Sequence, residues 1–158
     1  MRIGHGYDVH QLGEDEDLIL GGINIAYKKG LVGHSDADVL THAIMDAILG
    51  ALGQKDIGYH FPDTKTEYKG ISSLKLLAEV KQLMEKDGYH LGNLDSTIIA
   101  QAPKLAPYID QMVGKIANVL GVDTNQINIK ATTTEKLGFA GRKEGIAVHA
   151  VVLLKKSE

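Results

Sequence analysis

The sequence predicts a layered α/β fold of the α+β type, in which helices pack on one face of a small sheet of about four main strands. Three observations support this prediction. Extended runs rich in Ile, Val and Thr alternate with helical segments that carry an apolar stripe. Three helical segments are each followed by a glycine. No internal repeat or linker interrupts the chain, so we expect one domain over residues 1 to 158.

The first strand is predicted over residues 2 to 10, where the side chains alternate between two faces. An acidic run at residues 14 to 17 follows Gly13 and indicates an exposed turn. A short apolar strand over residues 18 to 20 should end at Gly21. The N-terminal part of the chain therefore contributes strands before any helix begins.

Three helices are predicted from apolar residues that recur with the helical period. The first begins at Val39, with Asp38 as its N-cap and Gly53 just after its last turn. The second spans roughly residues 72 to 87. The third runs from about residue 107 to residue 120, because Pro107 suits a first helical turn.

Further strands are predicted at about residues 89 to 101, 127 to 132 and 145 to 155. The last of these is apolar on both faces apart from His149, so we expect a central strand or one covered by an interface, with His149 packed as a buried residue. Four strands cannot cover both of their own faces. We therefore expect an oligomer in which subunits bury the sheet faces that the helices do not reach.

Composition excludes several classes of function. A net charge of −3 leaves no basic footprint for nucleic acid, and the absence of Trp disfavours stacking platforms for single strands. The chain has no Cys, so any metal must be held by His, Asp and Glu. No targeting segment or membrane-spanning apolar run is visible, and we expect a cytoplasmic protein that does not associate with membranes.

A zinc site is predicted from Asp8, His10 and His42. Residues two apart on a strand point to the same face, so Asp8 and His10 emerge side by side. His42 follows in a polar cluster at the start of an otherwise apolar helix and can supply a third ligand. Such a triplet leaves one tetrahedral position of Zn²⁺ open for chemistry. An Asp-x-His triplet alone often arises by chance, and the interpretation depends on the second segment.

Three loops offer further ligand contacts. Residues 56 to 65 carry donors suited to a phosphorylated or polyhydroxylated ligand, or form a simple surface turn. Residues 100 to 106 form a strand-to-helix bend whose backbone groups can recognise a nucleobase. The Thr132 to Glu135 run can bind phosphates and hold Mg²⁺ through its carboxylate, or it can cap a helix through a capping box. Both roles can hold together, since a capped helix N-terminus also attracts anions.

Four segments together resemble the signature of the 2-C-methyl-D-erythritol 2,4-cyclodiphosphate synthases of the non-mevalonate isoprenoid pathway. They are His5 to His10, His34 to Gly50, Asp56 to Asp63 and Thr132 to Arg142. The resemblance covers essentially the whole chain. It implies a phosphorus-oxygen lyase that cyclises 4-diphosphocytidyl-2-C-methyl-D-erythritol 2-phosphate and releases CMP. It also implies a homotrimer with active sites between neighbouring subunits.

The resemblance also implies roles for individual residues. Zn²⁺ would be held by Asp8, His10 and His42, while Glu135 would help hold a second divalent cation, Mg²⁺ or Mn²⁺, at the diphosphate. His34 and Thr133 would contact the transition state as catalytic residues. The remaining expected substrate contacts are Asp8, His10, Ser35, Asp56, Ile57, Gly58, Phe61, Pro62, Asp63, Thr64, Lys65, Ala100, Gln101, Ala102, Pro103, Lys104, Leu105, Ala106, Thr132, Thr134 and Glu135.

Phe139 and Arg142 resemble residues that line a cavity on the family's threefold axis, where an isoprenoid diphosphate can bind. Arginine suits the diphosphate and phenylalanine the tail. From the residues alone two alternatives stay open. A zinc phosphohydrolase could use the same ligands to activate water. A nucleotide- or isoprenoid-binding module without turnover could hold the metal as a structural element.

Overall fold

The structure of the protein is a computed structural model, which describes residues 1–157. Its sheet is built from four long strands, as the sequence predicts. These are β1 (Arg2–Gly13), β5 (Tyr89–Ile99), β6 (Ile127–Thr132) and β7 (Gly145–Lys156). The two-residue strand β4 (Gly30–Leu31) extends this sheet, whereas β2 (Ile19–Leu20) and β3 (Ile23–Asn24) form a separate hairpin.

The five-stranded sheet has the order β4-β1-β7-β5-β6. Strand β7 lies between β1 and β5 and is antiparallel to both, which confirms the prediction of a central last strand. Strand β6 runs parallel to β5 at the edge. A parallel neighbour requires a crossover connection, and the chain between β5 and β6 supplies one through a helix.

The helices are α1 (Val39–Leu52), α2 (Ile57–His60), α3 (Ser73–Lys86), α4 (Ile109–Leu120) and α5 (Gly138–Gly141). The predicted caps of α1 are confirmed, because the Asp38 side chain accepts from the Thr41 N–H and Gly53 is left-handed. Helix α4 begins later than predicted, since Pro107 lies in a 3₁₀ turn that precedes it. Among residues 1–157, no helix has the length and apolar character needed to cross a membrane.

One capping hypothesis is wrong. No helix begins within the Thr132 to Glu135 run, and α5 starts only at Gly138, with Leu137 as an N-cap that offers no side-chain acceptor. Glu135 and Lys136 instead adopt positive φ angles of 53° and 67°. The chain therefore turns sharply after β6. The Thr132 and Thr134 hydroxyls donate to the Thr133 and Leu137 carbonyl oxygens, and Thr133 Oγ1 accepts from the Glu135 N–H.

Helices cover one face of the sheet only. On that face the side chains of β7 are buried, from Ile146 to Leu154 at alternate positions. The opposite face, which we call the open sheet face, carries Ile3, Tyr7, Val9 and Val151 together with His5 and His149. Ile3 is 74% exposed. The expectation that His149 is buried is wrong for the single chain, because its position in β7 directs it to this face, where its Nδ1 lies 3.0 Å from His5 Nε2.

Candidate active site

The close packing of β1 against α1 brings three potential metal ligands together. Asp8 and His10 leave the helix-covered face of β1, and His42 lies in the first turn of α1. Asp8 Oδ2 is 3.0 Å from His10 Nε2 and 3.1 Å from His42 Nδ1, and the two ring nitrogens are 3.2 Å apart. Among residues 1–157, this is the one group of three or more His, Asp or Glu side chains that can share a metal ion.

These distances fit a tetrahedral cation. Zn²⁺ takes nitrogen and oxygen ligands at about 2.0 to 2.1 Å, so two ligands of one tetrahedron lie about 3.3 Å apart. The observed edges of 3.0 to 3.2 Å are close to that value. His10 Nδ1 also lies 2.8 Å from the Val32 carbonyl oxygen, to which it can only donate, so that in the neutral imidazole Nε2 carries no proton and can bind a metal. The three side chains can therefore hold a divalent metal ion.

Without a cation, the negative charge of Asp8 attracts a proton to the cluster. Partial burial opposes ionisation of Asp8, but hydrogen bonds and charge attraction from His10 and His42 outweigh it and lower the pKa of Asp8 to about 2. Burial also disfavours a charged His10, yet its hydrogen bonds to Asp8 and to the Val32 carbonyl raise the pKa of its imidazole above 6.5. The carboxylate thus favours positive charge at this point, whether it is supplied by a proton or by a metal.

A cavity of about 290 Å³ opens beside the three ligands. Of the residues predicted to bind substrate, it brings together Asp8, His10, His34, Ser35, Ile57, Gly58, Phe61 and Asp63. Its other lining residues are Gly33, His42, Met45, Tyr68 and Leu76. The phosphorylated end of a small polyol could therefore approach the ligand cluster from the side formed by α2 and the loop after it.

A second cavity, of about 370 Å³, lies at the carboxyl ends of the parallel strands β5 and β6. All seven residues from Ala100 to Ala106 line it, together with Ile109, Ala131, Thr132 and Thr133. Backbone groups, small side chains and threonine hydroxyls line it together with the longer side chains of Gln101, Lys104, Leu105 and Ile109. Such a mixture of apolar and polar groups is typical of small-molecule sites. The two cavities have no lining residue in common.

Several predicted contacts lie outside both cavities. The Asp56 side chain accepts from the Tyr59 N–H at 2.9 Å and caps α2. Glu135 follows the second cavity, where its N–H donates to Thr133 Oγ1, and it is not among the three clustered ligands. The other predicted residues that do not line a cavity are Pro62, Thr64, Lys65, Thr134, Phe139 and Arg142. Arg142 is exposed and donates two hydrogen bonds to Glu144.

Sequence reasoning did not identify the residues that support the ligands. His42 Nε2 lies 2.8 Å from Ser73 Oγ, and the Ser73 hydroxyl donates to Asp36. Asp46, one turn after His42, accepts from the Ile57 N–H at 2.8 Å and so fixes the start of α2. Burial disfavours ionisation of Asp46, and the neighbouring charges of Asp8 and Asp56 act in the same direction to raise its pKa. The density of polar residues from Asp36 to Asp46 indicated that they have a role in the site. Their partners, Ser73 and Ile57, lie elsewhere in the sequence and could not be identified from it.

Comparisons with known proteins agree with this geometry. The sequence model of the YgbB family matches residues 1–155. The 2-C-methyl-D-erythritol 2,4-cyclodiphosphate synthase of Syntrophotalea carbinolica is 68% identical over 157 residues, which are 99% of this chain and 96% of that protein.

Two solved structures are also similar. The bifunctional IspDF of Campylobacter jejuni matches 99% of this chain with a TM-score of 0.96 and 46% identity, and the match spans 42% of that longer chain. The CDP complex of Plasmodium falciparum IspF matches 99% of this chain and 97% of its own, with a TM-score of 0.87 and 39% identity. The chain therefore belongs to the YgbB family, that of the 2-C-methyl-D-erythritol 2,4-cyclodiphosphate synthases.

Proposed function

We propose that the protein catalyses the metal-dependent cyclisation of 4-diphosphocytidyl-2-C-methyl-D-erythritol 2-phosphate to 2-C-methyl-D-erythritol 2,4-cyclodiphosphate, with release of CMP. The observation that carries the proposal is the cluster of Asp8, His10 and His42 beside a cavity of suitable size, in a chain that belongs to this family. The named activity of the 68% identical relative supports the same reaction.

The reaction is an in-line displacement at phosphorus. An oxygen of the 2-phosphate forms a bond to the β-phosphorus, and the bond from that phosphorus to the oxygen of the leaving CMP breaks. CMP takes the electron pair. No general base is required, because the attacking phosphate oxygen is already anionic at neutral pH. When bound, divalent cations would neutralise and orient the phosphates, whose charges otherwise repel each other.

The chain's own residues position the two ends of the substrate. Ser35, Ile57, Gly58 and Asp63 line the first cavity and would hold the methylerythritol phosphate. His34, which lies 3.4 Å from the Lys65 carbonyl oxygen, stands between the loop before α1 and the loop after α2. There it can donate to a phosphate oxygen in the transition state. Closure of these loops would exclude water and so suppress hydrolysis.

The second cavity would hold the cytidine and its phosphates. The CDP bound by P. falciparum IspF supports a cytidine nucleotide as the ligand class. Residues 100–106 offer backbone groups to the base, and Thr133 offers a hydroxyl to a phosphate oxygen. Glu135 at the end of this run would help hold Mg²⁺ or Mn²⁺ at the diphosphate, since both ions prefer carboxylate oxygens. The cluster of Asp8, His10 and His42 suits Zn²⁺ better than Mg²⁺ or Mn²⁺, because two of its three ligands are imidazole nitrogens.

A homotrimer with active sites between subunits would join the two cavities. The open sheet face carries four exposed large apolar residues, a patch that monomers rarely leave uncovered. The two cavities share no lining residue, which supports a substrate held between the first cavity of one subunit and the second cavity of its neighbour. Association through the open sheet face can bring these surfaces together.

The threefold axis of such a trimer would pass near the open sheet face, and an isoprenoid diphosphate could bind there. Phe139 is partly exposed and would contact the tail, while Arg142 would contact the diphosphate. Arg142 pairs with Glu144 through Nε and Nη2, and a diphosphate would either displace that carboxylate or use the other guanidinium donors. We further propose that residues 1 to 158 act as one domain and that the enzyme works in the cytoplasm.

The reaction is tested by following the ³¹P NMR spectrum of the cytidyl substrate with protein, Zn²⁺ and Mg²⁺. The expected product is the cyclic diphosphate together with CMP. Linear phosphates without the cyclic product would instead indicate a zinc phosphohydrolase. Binding of nucleotide without any turnover would indicate a binding module.

Substitution of a ligand separates a catalytic from a structural metal. His42→Ala should abolish turnover while the oligomer and its thermal unfolding are retained. His90→Ala, which changes an exposed histidine outside both cavities, is the matched control and should keep wild-type turnover. Unfolding of the His42→Ala variant, or of the wild type on chelation, would contradict a catalytic role for the metal.

A further inference from the structure

The two nitrogens of His42 face different environments. Nδ1 points to Asp8 and His10 in the ligand cluster. Nε2 points the other way, 2.8 Å from Ser73 Oγ and 3.2 Å from Ser35 Oγ. A neutral imidazole carries one proton, so a metal can bind Nδ1 only when the proton is on Nε2. The Asp8 carboxylate, 3.1 Å from Nδ1, attracts a proton to that nitrogen in the metal-free protein, whereas an acceptor at Nε2 holds the proton there. The partners of Nε2 therefore decide how readily the cluster accepts a metal.

The hydroxyl of Ser73 has a single proton, which it donates to Asp36 in a hydrogen bond. Asp36 Oδ1 accepts from Ser73 Oγ at 2.5 Å, and Oδ2 accepts from the Ser73 backbone N–H at 2.9 Å. With its proton committed to the carboxylate, the Ser73 oxygen can only accept from His42. Ser35 Oγ is the more distant partner of Nε2, at 3.2 Å, so the shorter contact sets the direction of donation from His42 through Ser73 to Asp36.

Burial makes this direction hard to reverse. Ser73 is 0% exposed and His42 is 7% exposed, so bulk water does not replace either partner. Asp36 is held in place by the Asp38 N–H, which donates to Oδ1, while its own N–H donates to the Ile71 carbonyl oxygen. The first turn of α3 and the loop before α1 are joined at this point.

We propose that Ser73 and Asp36 are positioning residues, which hold His42 in its Nε2–H tautomer and so keep Nδ1 free to bind the metal. The inference rests on the metal site proposed above. It goes beyond that site because it assigns a function to two residues that touch neither the metal nor the substrate. Such supporting partners are worth roughly 10- to 100-fold in metal affinity where they have been removed from other sites.

A purely structural role makes a different prediction. If Ser73 and Asp36 only join α3 to the loop before α1, their loss should loosen the fold without changing the tautomer of His42. Asp36→Asn distinguishes the two. Each carboxylate oxygen of Asp36 accepts a backbone N–H, and the bond from the Ser73 N–H, at 2.9 Å, is shorter than the 3.2 Å bond from the Asp38 N–H. The amide oxygen would therefore keep the bond from the Ser73 N–H. The amide nitrogen would replace Oδ1, lose the bond from Asp38 and donate to Ser73 Oγ. The hydroxyl proton would then turn to His42 Nε2 and favour the Nδ1–H tautomer.

The test is long-range ¹H–¹⁵N NMR of the histidines in metal-free protein, at an alkaline pH where the imidazoles are neutral. The expected result is Nε2–H for His42 in the wild type and a shift toward Nδ1–H in Asp36→Asn. Ser73→Ala should give a mixture of both tautomers. The matched control is Ser72→Ala, which removes a hydroxyl that makes no capping hydrogen bond and should leave the wild-type tautomer.

Zinc affinity, measured by competition with a chelating dye, should fall by roughly 10- to 100-fold in Asp36→Asn and stay unchanged in Ser72→Ala. An Nδ1–H tautomer in the wild type would overturn the inference, whatever the variants do. So would an unchanged Nε2–H tautomer in folded Asp36→Asn. Because the tautomer is measured without metal, a failure of the protein to bind zinc would contradict the metal site and remain separate from this result.

Discussion

Gly6 of β1 lies directly against Ala43 of α1. A Cβ atom on residue 6 would come within 1.9 Å of the Ala43 carbonyl oxygen, a distance that no side chain tolerates. Gly4 meets Ala47 in the same way, one helical turn further along α1. The strand and the helix therefore run side by side at backbone contact. This contact sets Asp8, two residues beyond Gly6, beside His42, the neighbour of Ala43.

Gly6→Ala should accordingly damage both the fold and the metal site. The obstructing atoms are backbone, so α1 must move as a unit, and we expect a loss of about 3 kcal/mol in the free energy of unfolding. Zinc affinity should fall with it, because His42 moves away from Asp8 and His10. Urea denaturation and a zinc titration measure the two effects.

Gly114→Ala is the matched control for this substitution. Gly114 lies within α4, and a Cβ atom there would meet nothing within 4 Å. Alanine favours the helix over glycine by about 0.5 to 1 kcal/mol, so the control should gain stability and keep its zinc affinity. Equal losses in both variants would show that the contact between Gly6 and Ala43 has no special importance.

Local patterns in the sequence predict most of the secondary structure. Asp38 and Gly53 mark both ends of α1 because capping depends on neighbouring backbone groups alone. The exposure of His149 could not be obtained in this way. Strand β7 is apolar on both faces, and sequence does not show which face the helices cover. The helices reach only one face, and His149 lies on the other.

Like the ends of α1, the ligand cluster was predictable from local patterns. Asp8 and His10 share one face of a strand, and His42 lies in a dense polar segment. Ser73 was not predictable, because it reaches His42 only through the packing of α3 beside α1. That residues 56 to 65 and residues 100 to 106 contribute to two different cavities is likewise a property of the folded chain, which no local pattern in either segment indicates.

The pairing of Asp8 with His10 should make the stability of the metal-free protein depend on pH. Asp8 has a pKa lowered from 3.8 to about 2, so its contribution of about 2 kcal/mol is present above pH 3.8 and is lost as the pH falls toward 2. His10 has a pKa raised from 6.5, so its contribution is present below pH 6.5 and is lost as the pH rises through the raised value.

Asp8→Asn tests this dependence in chelator-treated protein. The difference in unfolding free energy between wild type and variant should be largest between pH 3.8 and 6.5 and should shrink on either side. Thermal unfolding at a series of pH values measures it. A difference that is constant from pH 2 to pH 8 would show that the two side chains do not interact in the folded state.

Zinc affinity should rise with pH until His10 has lost its proton. A metal must displace the proton that the raised pKa of His10 holds, so the apparent affinity should fall by about tenfold per pH unit below that pKa. Calorimetric titrations in buffers with different ionisation enthalpies will also report the released proton. In Asp8→Asn the decline should begin at a lower pH, because the carboxylate that raises the pKa is gone. An affinity that stays level between pH 5 and 8 would contradict this account.

Asp46 should affect substrate binding without affecting the metal. Its Oδ1 accepts the Ile57 N–H at the start of α2, and Ile57 and Gly58 line the first cavity. Asp46→Ala removes one hydrogen bond, worth about 1 kcal/mol, and we expect KM to rise about fivefold while zinc affinity is retained. Asp46→Asn keeps an acceptor oxygen and should restore a KM near that of the wild type. Loss of zinc from Asp46→Ala would instead assign this carboxylate to the metal site.

Mixing two inactive variants tests whether each active site is shared between subunits. His42→Ala disables the first cavity by removing a ligand. Ala106→Trp fills the second cavity from an exposed position, so the core is left intact. Each variant alone should be inactive. If sites form between neighbours in a three-membered ring, random mixing in equal amounts gives roughly a quarter of the sites with both cavities intact.

The mixed protein should therefore recover roughly a quarter of the wild-type turnover after unfolding and refolding together. The same two variants combined without subunit exchange should stay inactive, which controls for residual activity in either preparation. If one subunit instead supplied both cavities to its own site, every site in the mixture would keep one defect. Lack of recovery in a refolded mixed trimer would then place the whole site within one chain. The absence of any lining residue common to the two cavities of one subunit favours the shared arrangement.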